Sequence, residues 1–264
     1  MAKQSGIVTF KGKMGGISFY EQKGKSVARK ASGPSKSRIM NSPKFERQRQ
    51  NIKEFNAVAL AVKTIFQSLK ALKDFRNDKF SGKIRKFLRA MLVQSDGDLG
   101  QREVLFSKFR TELRGFELSN TDFVASFNAS AVFTHAATRA DAQMAVTGLD
   151  RPKSISAPPK TTHFKIVQVV AVVPDIIYND LTQEYAAEQT FTDSYGQTES
   201  DFYPINDDTP LDFTLTAALP APVAASLLAD TTVIQCVGIQ FFEKVGTKYS
   251  QINAGTAAKI VDVF

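Results

Sequence analysis

Short apolar runs punctuated by glycine open the chain: Ile7-Val8-Thr9-Phe10, Ile17-Ser18-Phe19-Tyr20 and Ser26-Val27-Ala28-Arg29, separated by Gly12, Gly15-Gly16 and Gly24. Period-two alternation between glycine turns predicts a three-stranded antiparallel meander from Gly6 to Lys30. The alternation puts Val8, Phe10, Ile17, Phe19 and Val27 on one face, with Lys11, Tyr20 and Lys30 on the other. A sheet this small does not bury an apolar face by itself, so it packs either on its own chain or on a neighbouring subunit. Ala31 to Asn41, small, polar and cationic around Gly33-Pro34, predict an extended connector.

The period then changes. Ser42-Pro43 is a helix start, serine supplying a cap and proline losing nothing at the first helical position. Phe45, Ile52, Phe55, Ala59, Val62, Phe66, Leu69 and Leu72 recur at helical spacing and predict one long amphipathic helix through about Phe75. A second helix is expected from about Ser81 to Ser95, with Ile84, Phe87, Leu88, Met91 and Leu92 inward and Lys83, Arg85, Lys86 and Arg89 outward. A third is expected from about Leu99 to Arg114, with Leu105, Phe109 and Leu113 inward.

Beyond Gly115 the pattern returns to short strands: Asp122 to Ala129, Ala131 to Ala136, Asp141 to Thr147, His163 to Val173, Ile176 to Tyr178, Thr190 to Asp193, Leu211 to Ala217, Thr231 to Phe242, Lys248 to Asn253 and Ala258 to Phe264. Proline- and glycine-bearing turns between them, with no long helix, predict an antiparallel sandwich. Both faces of Thr231 to Phe242 are apolar, which makes that strand central and Cys236 a core residue. The apolar end Val263-Phe264 is expected to be tied down in a sheet. The expected fold class is therefore α+β: a small N-terminal antiparallel sheet with three amphipathic helices, then a C-terminal antiparallel β-sandwich. The expected parts are a basic meander and linker over 1–41, a basic helical region over 42–116 and an acidic sandwich over 117–264.

Charge sharpens this division. The first fifty residues hold twelve Lys/Arg against Glu21 and Glu46. Through Asn120 the chain carries 26 basic and 10 acidic residues, and the remaining 144 carry 8 and 16. Such polarity is an argument about partners: a nucleic acid, an anionic surface, or the acidic half of another copy. The candidate assembly or anion-binding residues are Lys11, Lys13, Lys23, Lys25, Arg29, Lys30, Lys83, Arg85, Lys86 and Arg89.

Candidate chemistry is thin. One Cys in 264 residues excludes an internal disulfide framework, and two distant His leave no zinc-ligand spacing. His135 and His163 read as strand residues. The acidic run Asp193, Glu199, Asp201, Asp207, Asp208 and Asp212 lacks the order of a calcium loop and reads as a solvated loop, as does Asp96-Gly97-Asp98. No phosphate loop, dinucleotide fingerprint, zinc-protease motif or nucleophile elbow is present. The expectation is a protein without enzymatic activity or cofactor. A carbohydrate-binding sandwich finds little support in a chain without Trp and with few Tyr. No apolar run has the length of a membrane span or of a leader's core, so the chain is expected to be made in the cytoplasm without a cleaved leader, with a virion or an extracellular filament as its final location.

Met1-Ala2-Lys3-Gln4-Ser5-Gly6, Phe10-Lys11-Gly12, Gly16-Ile17-Ser18-Phe19-Tyr20, Arg29-Lys30, Ser37-Arg38-Ile39-Met40 and Phe45-Glu46-Arg47 resemble the opening of an uncharacterised group of proteins from Bacteroidota-type bacteria or their phages. The resemblance extends to the C-terminal Val-Phe and implies no activity, cofactor or catalytic residue. Two functions remain in view. One is a structural subunit that self-assembles head-to-tail into a filament, tube or virion component, with its N-terminal strands exchanged between copies. The alternative is sequence-nonspecific binding of DNA or RNA by the basic half.

Overall fold

Two adjacent glycines, and a lysine followed by a glycine, set the geometry of the N-terminal sheet. The computed structural model describes residues 2–4, 8–30, 33–76 and 79–264. By its internal contacts the chain divides into two units, Met1–Asn51 and Ile52–Phe264. In the first, β1 (Ala2–Lys3), β2 (Gly12–Met14), β3 (Ile17–Gln22) and β4 (Lys25–Lys30) form one antiparallel sheet in the order β1-β4-β3-β2. Both hairpins turn through two residues of positive φ, Gly15-Gly16 at 54° and 77° and Lys23-Gly24 at 51° and 71°. This is the turn whose twist matches that of the flanking strands.

Register follows from these turns and corrects the sequence reading. Met14 faces Ile17 and Gln22 faces Lys25, so β2 and not Ile7–Phe10 is the strand that pairs with β3. Val8, Thr9 and Phe10 lie outside any strand, while Gly6 and Ile7 of the expected strand lie outside the described residues. A two-residue turn pairs even positions of β3 with odd positions of β4. Val27 therefore faces Tyr20, not Phe19, and Lys30 faces Ile17. The expected connector is also partly helical: α1 (Lys36–Asn41) is capped by Ser35, whose hydroxyl accepts the Arg38 N–H at 3.2 Å. Ala31 and Ser32 of that connector lie outside the described residues.

The long helix begins after a 3-10 turn at Pro43–Phe45 and runs as α2 (Glu46–Ser68), followed by a second 3-10 segment at Lys70–Phe75. Ile52 marks the start of the second unit. Its α2 residues bury Glu54, Ala57, Val58, Ala61, Val62, Thr64, Ile65 and Ser68. The expected stripe is thus rotated by about one position, with Ile52 and Phe55 exposed. The reason is Glu54. A fully buried acid scores as polar in any periodicity count, yet here it sits at the head of the buried face.

Glu54 is saturated. Arg102 donates Nε–H to Oε1 at 2.6 Å and Nη2–H to Oε2 at 2.8 Å, Arg89 donates Nη1–H to Oε2 at 2.8 Å, and the Gly100 amide donates to Oε1 at 3.1 Å. Arg89 comes from α3 (Phe80–Gln94), so the carboxylate joins two helices and the loop after them. That loop is where the third helix was expected. Instead Gly100 and Arg102 are held by Glu54, and Val104 exchanges two 3.0 Å backbone hydrogen bonds with Ile176. Helix persists only as the single turn α4 (Arg110–Leu113). The segment expected as strand 122–129 likewise forms a one-turn helix, α5 (Phe123–Ser126), capped by Asp122.

The strands that follow are β5 (Ala131–His135), β6 (Asp141–Leu149), β7 (His163–Val173), β8 (Ile176–Asn179), β9 (Glu184–Ala187), β10 (Tyr195–Glu199), β11 (Tyr203–Pro204), β12 (Leu211–Ala218), β13 (Thr232–Val245) and β14 (Lys248–Val263). The expected strand 190–193 is absent, β9 and β10 lying either side of it, and the two C-terminal strands expected are one. β10-β7-β13-β14 form the main sheet, with β11 also on β7, and β12-β6-β5 form a second. One face of β7 and β13, carrying Val167, Val169, Ala171, Val173, Ile234 and Cys236, packs on the helices. The other, carrying Phe164, Ile166, Val237, Ile239 and Phe241, packs on Met144, Val146, Leu149, Phe213 and Leu215 of the second sheet. The helices after Ile52 and the sandwich therefore share one layered body. Its sheets are also stitched by amides: Gln168 Nε2 donates to the Ala142 carbonyl at 2.6 Å and Gln235 Nε2 to the Gln143 carbonyl at 3.0 Å.

One contact is set by the absence of a side chain. A Cβ on Gly238 of β13 would stand 2.5 Å from the Phe75 ring, so the bare backbone there is the seat into which Phe75 locks the end of the 3-10 segment. Gly238→Ala should destabilise unit 2 by about 1–3 kcal/mol in denaturant unfolding. Adding Phe75→Ala should recover part of that loss, a non-additivity that a double-mutant cycle reads.

Burial pushes the Glu54 carboxyl up, but the donors from Arg102, Gly100 and Arg89 outweigh it and leave it below the ordinary carboxyl value of 4.5. A group depressed in the folded state contributes stability that is full above its unfolded value and is lost as pH falls through the folded one. Glu54→Gln should cost about 3–5 kcal/mol at neutral pH, because it leaves two arginines facing a neutral group. The difference from wild type should shrink progressively below pH 4.5 in urea titrations.

Candidate anion and assembly interface

The sheet of the first unit has two unlike faces. Directly opposed residues of an antiparallel pair share a face. Lys13 opposes Ser18, which opposes Arg29; Lys3 opposes Val27, which opposes Tyr20; and Gln22 opposes Lys25. One face therefore gathers Lys3, Lys13, Lys25 and Arg29 around Tyr20 and Val27, with no acid among them. Arg29 lies over the Tyr20 ring, 5.4 Å from its centroid, an arrangement in which the cation is attracted by the ring's electron-rich face.

The opposite face carries Met14, Ile17 and Phe19, with Phe10 packed against Phe19 at 5.9 Å between ring centres. Val8, Phe10, Met14 and Ile17 are exposed, and Val27 is the one hydrophobic residue of this unit buried among those described. The division into a greasy face and a basic face thus stands, while its membership changes: Val27 and Tyr20 belong with the cations, Lys30 with the apolar side.

The ten candidate cations do not form one patch. Lys13, Lys25 and Arg29 share the basic face; Lys23 occupies the β3–β4 turn; Lys30 lies on the other face. Lys11 pairs with Glu21 at 2.8 Å, both side chains exposed, a pair of small energetic weight. In the second unit, Lys83, Arg85 and Lys86 are exposed on α3, with Arg85 5.9 Å from the Phe55 ring centre. Arg89 is spent on Glu54 and is not an available anion-binding residue. No pattern in the sequence separates Arg89 from its neighbours, because the partner that claims it is 35 positions away.

The remaining polar candidates serve the fold. Cys236 is fully buried and burial pushes its thiol up, away from nucleophilic ionisation. His135 stacks on Phe264 at 3.9 Å and its Nδ1 lies 3.4 Å from Asp262. Burial and, after it, Lys244 hold His163 below the usual imidazole value. The acidic run disperses: Asp207 pairs with Arg151 at 2.8 Å, Asp212 accepts the Gly148 amide at 2.6 Å, and Glu199 pairs with Lys165. Asp96 pairs with Lys108 at 2.7 Å. Among the described residues no three of His, Cys, Asp and Glu converge on a metal-sized site, and no helix is long and apolar enough to cross a membrane. Phe264 is buried and exchanges backbone hydrogen bonds of 2.8 and 2.9 Å with Val233, tying the last residue into the main sheet.

No family model matches the chain, and no curated protein or solved structure matches it either.

Proposed function

We propose that this protein is a non-enzymatic structural subunit that assembles with copies of itself, head to tail, into a filament, tube or virion component, using the sheet of its first unit as the connector. The observation that carries this reading is the N-terminal sheet itself: four short strands, with β1 and β2 at the ends of the order and no further strand paired to either among the described residues, and an apolar face whose Phe10, Met14 and Ile17 are exposed. Such a sheet gains stability when a further layer or strand covers it. Charge supports a copy of the same chain as the cover. The first unit holds twelve basic and two acidic residues, while the last 144 residues hold 8 and 16, and opposite polarity on one chain favours heterologous contacts that propagate.

A second reading rests on a separate observation, the acid-free face of Lys3, Lys13, Lys25 and Arg29 around Tyr20. Cations on a sheet with a half-buried aromatic ring among them are the ingredients of nonspecific nucleic-acid binding, phosphate contacts giving affinity and the ring a partial stacking surface.

Electron microscopy and light scattering across protein concentration, at low and high salt, separate the two. Polymers or discrete oligomers that dissolve with salt are expected, together with their loss in Lys13→Glu/Lys25→Glu/Arg29→Glu while the second unit stays folded by circular dichroism. Monomers at every concentration and salt would sink the assembly reading. Labelled duplex DNA tests the other: four phosphate contacts should give a slope of log K against log salt of about −3.6, and a flat dependence would reject it.

A further inference from the structure

The second unit contains a polar pocket whose lining includes none of the cations of the candidate interface. Its cavity, of about 620 Å³, is walled by the end of the 3-10 segment (Asp74, Arg76), the loop Ser119–Thr121 and the stretch Gln251–Thr256 of β14. That stretch is irregular for a reason visible in the pairing. Ile239 faces Ala257 and Phe241 faces Ile252, so the four residues Asn253–Thr256 stand opposite the single residue Gln240. Bulges of this kind re-aim side chains and are over-represented beside functional sites. This one is fixed by its own bonds: Thr256 Oγ1 donates to the Asn253 carbonyl at 2.9 Å, and Ser126 Oγ donates to the Gly255 carbonyl at 3.3 Å.

Arg76 is the cation of this pocket, with Asp74 acting on it from the same wall, and among the described residues its guanidinium makes no hydrogen bond. Phe75, seated against Gly238, fixes the backbone next to it, and its guanidinium lies over the Phe66 ring at 4.6 Å. Its Nη1 is buried without a hydrogen-bond partner. Arg110 and Arg151 also leave a nitrogen unpaired, but each donates elsewhere, Arg110 to Asp230 and Arg151 to Pro204, Thr209 and Asp207. Among the described residues Arg76 is the arginine with a buried orphan nitrogen and no side-chain hydrogen bond or ion pair at all. Burial holds its basicity below the usual guanidinium value. The other two nitrogens, Nε and Nη2, are reachable from outside and likewise make no hydrogen bond among the described residues, so an oxyanion on the open side of the guanidinium would give these donors the partners they lack.

The surroundings choose among oxyanions. Asp74 lines the same pocket, so the net local charge is small and disfavours a dianion such as phosphate, whereas one guanidinium matches one carboxylate in a forked, two-bond geometry. The side-chain amides of Asn120, Gln251 and Asn253 have no hydrogen-bond partner among the described residues and offer donors and acceptors to hydroxyl groups. We propose that this pocket binds a small hydroxylated carboxylate, of the sugar-acid type, with its carboxylate on Arg76 and its hydroxyls on these amides. The proposal is independent of assembly, since every residue involved lies in the second unit.

Titration calorimetry of the full chain with D-glucuronate, D-glucose and inorganic phosphate tests it. Saturable glucuronate binding is expected, weakened about tenfold or more in Arg76→Gln, with glucose and phosphate binding far more weakly than glucuronate. Absence of saturable glucuronate binding, equal affinity in Arg76→Gln, or a preference for phosphate or glucose would overturn the proposal. Should Arg76→Gln fail to fold, the wild-type protein decides by NMR. Side-chain amide signals of Gln251 and Asn253 should shift with glucuronate and stay still with glucose, and the converse, or no shift with either, would overturn it.

Discussion

The main sheet of the second unit is apolar on both sides, and nearly everything else in that unit exists to cover it. β7 and β13 pair over eleven successive positions, with valine, isoleucine and phenylalanine pointing both ways. Removing such surface from water is worth roughly 25 cal/mol per Å² on each side, so neither face tolerates exposure. Helices close one side and the β12-β6-β5 sheet the other. Polar groups enter mostly with a partner for at least one of their atoms, as with the glutamines whose amide nitrogens reach across to β6 and the Ser68 hydroxyl that donates to the Val172 carbonyl at 2.6 Å. Glu54 is the extreme case: an acid admitted to the interior because two arginines and an amide were placed to meet it.

What could be read in the sequence depended on how local its cause was. The α+β class, the helix at 80–94, the strand at 163–173 and the burial of both faces of β13 are all written in short-range periodicity, and they stand. The two N-terminal hairpins were legible as glycine turns, but the face assignment failed because it needs the parity of the turn, one residue either way reversing every side chain. The third helix failed for a different reason. Its residues have helical spacing, yet Gly100, Arg102 and Val104 are claimed by partners far away in the chain, and tertiary bonds override a weak local preference.

The candidate sites show the same limit. Lys13, Lys25 and Arg29 were visible as cations, and only register brings them together with Lys3 and Tyr20. Arg89 was indistinguishable from its neighbours until Glu54 was seen beside it. Arg76 carried no signal at all: it lies in a charged stretch of ordinary composition, and the bulge that shares its pocket is in a strand some 180 positions later. Single-sequence reading recovers what a residue is, and folding decides what company it keeps.

The partition of charge between the two units has an electrophoretic consequence. Twelve of the 34 basic residues but only two of the 26 acidic ones precede Ile52, so the first unit has a net charge of +10 and accounts for more than the whole excess of +8. The remaining body, with 22 basic and 24 acidic groups, is slightly anionic at neutral pH. Severing the chain at this boundary would turn a cation into an anion, and the larger fragment would migrate toward the opposite electrode from its parent.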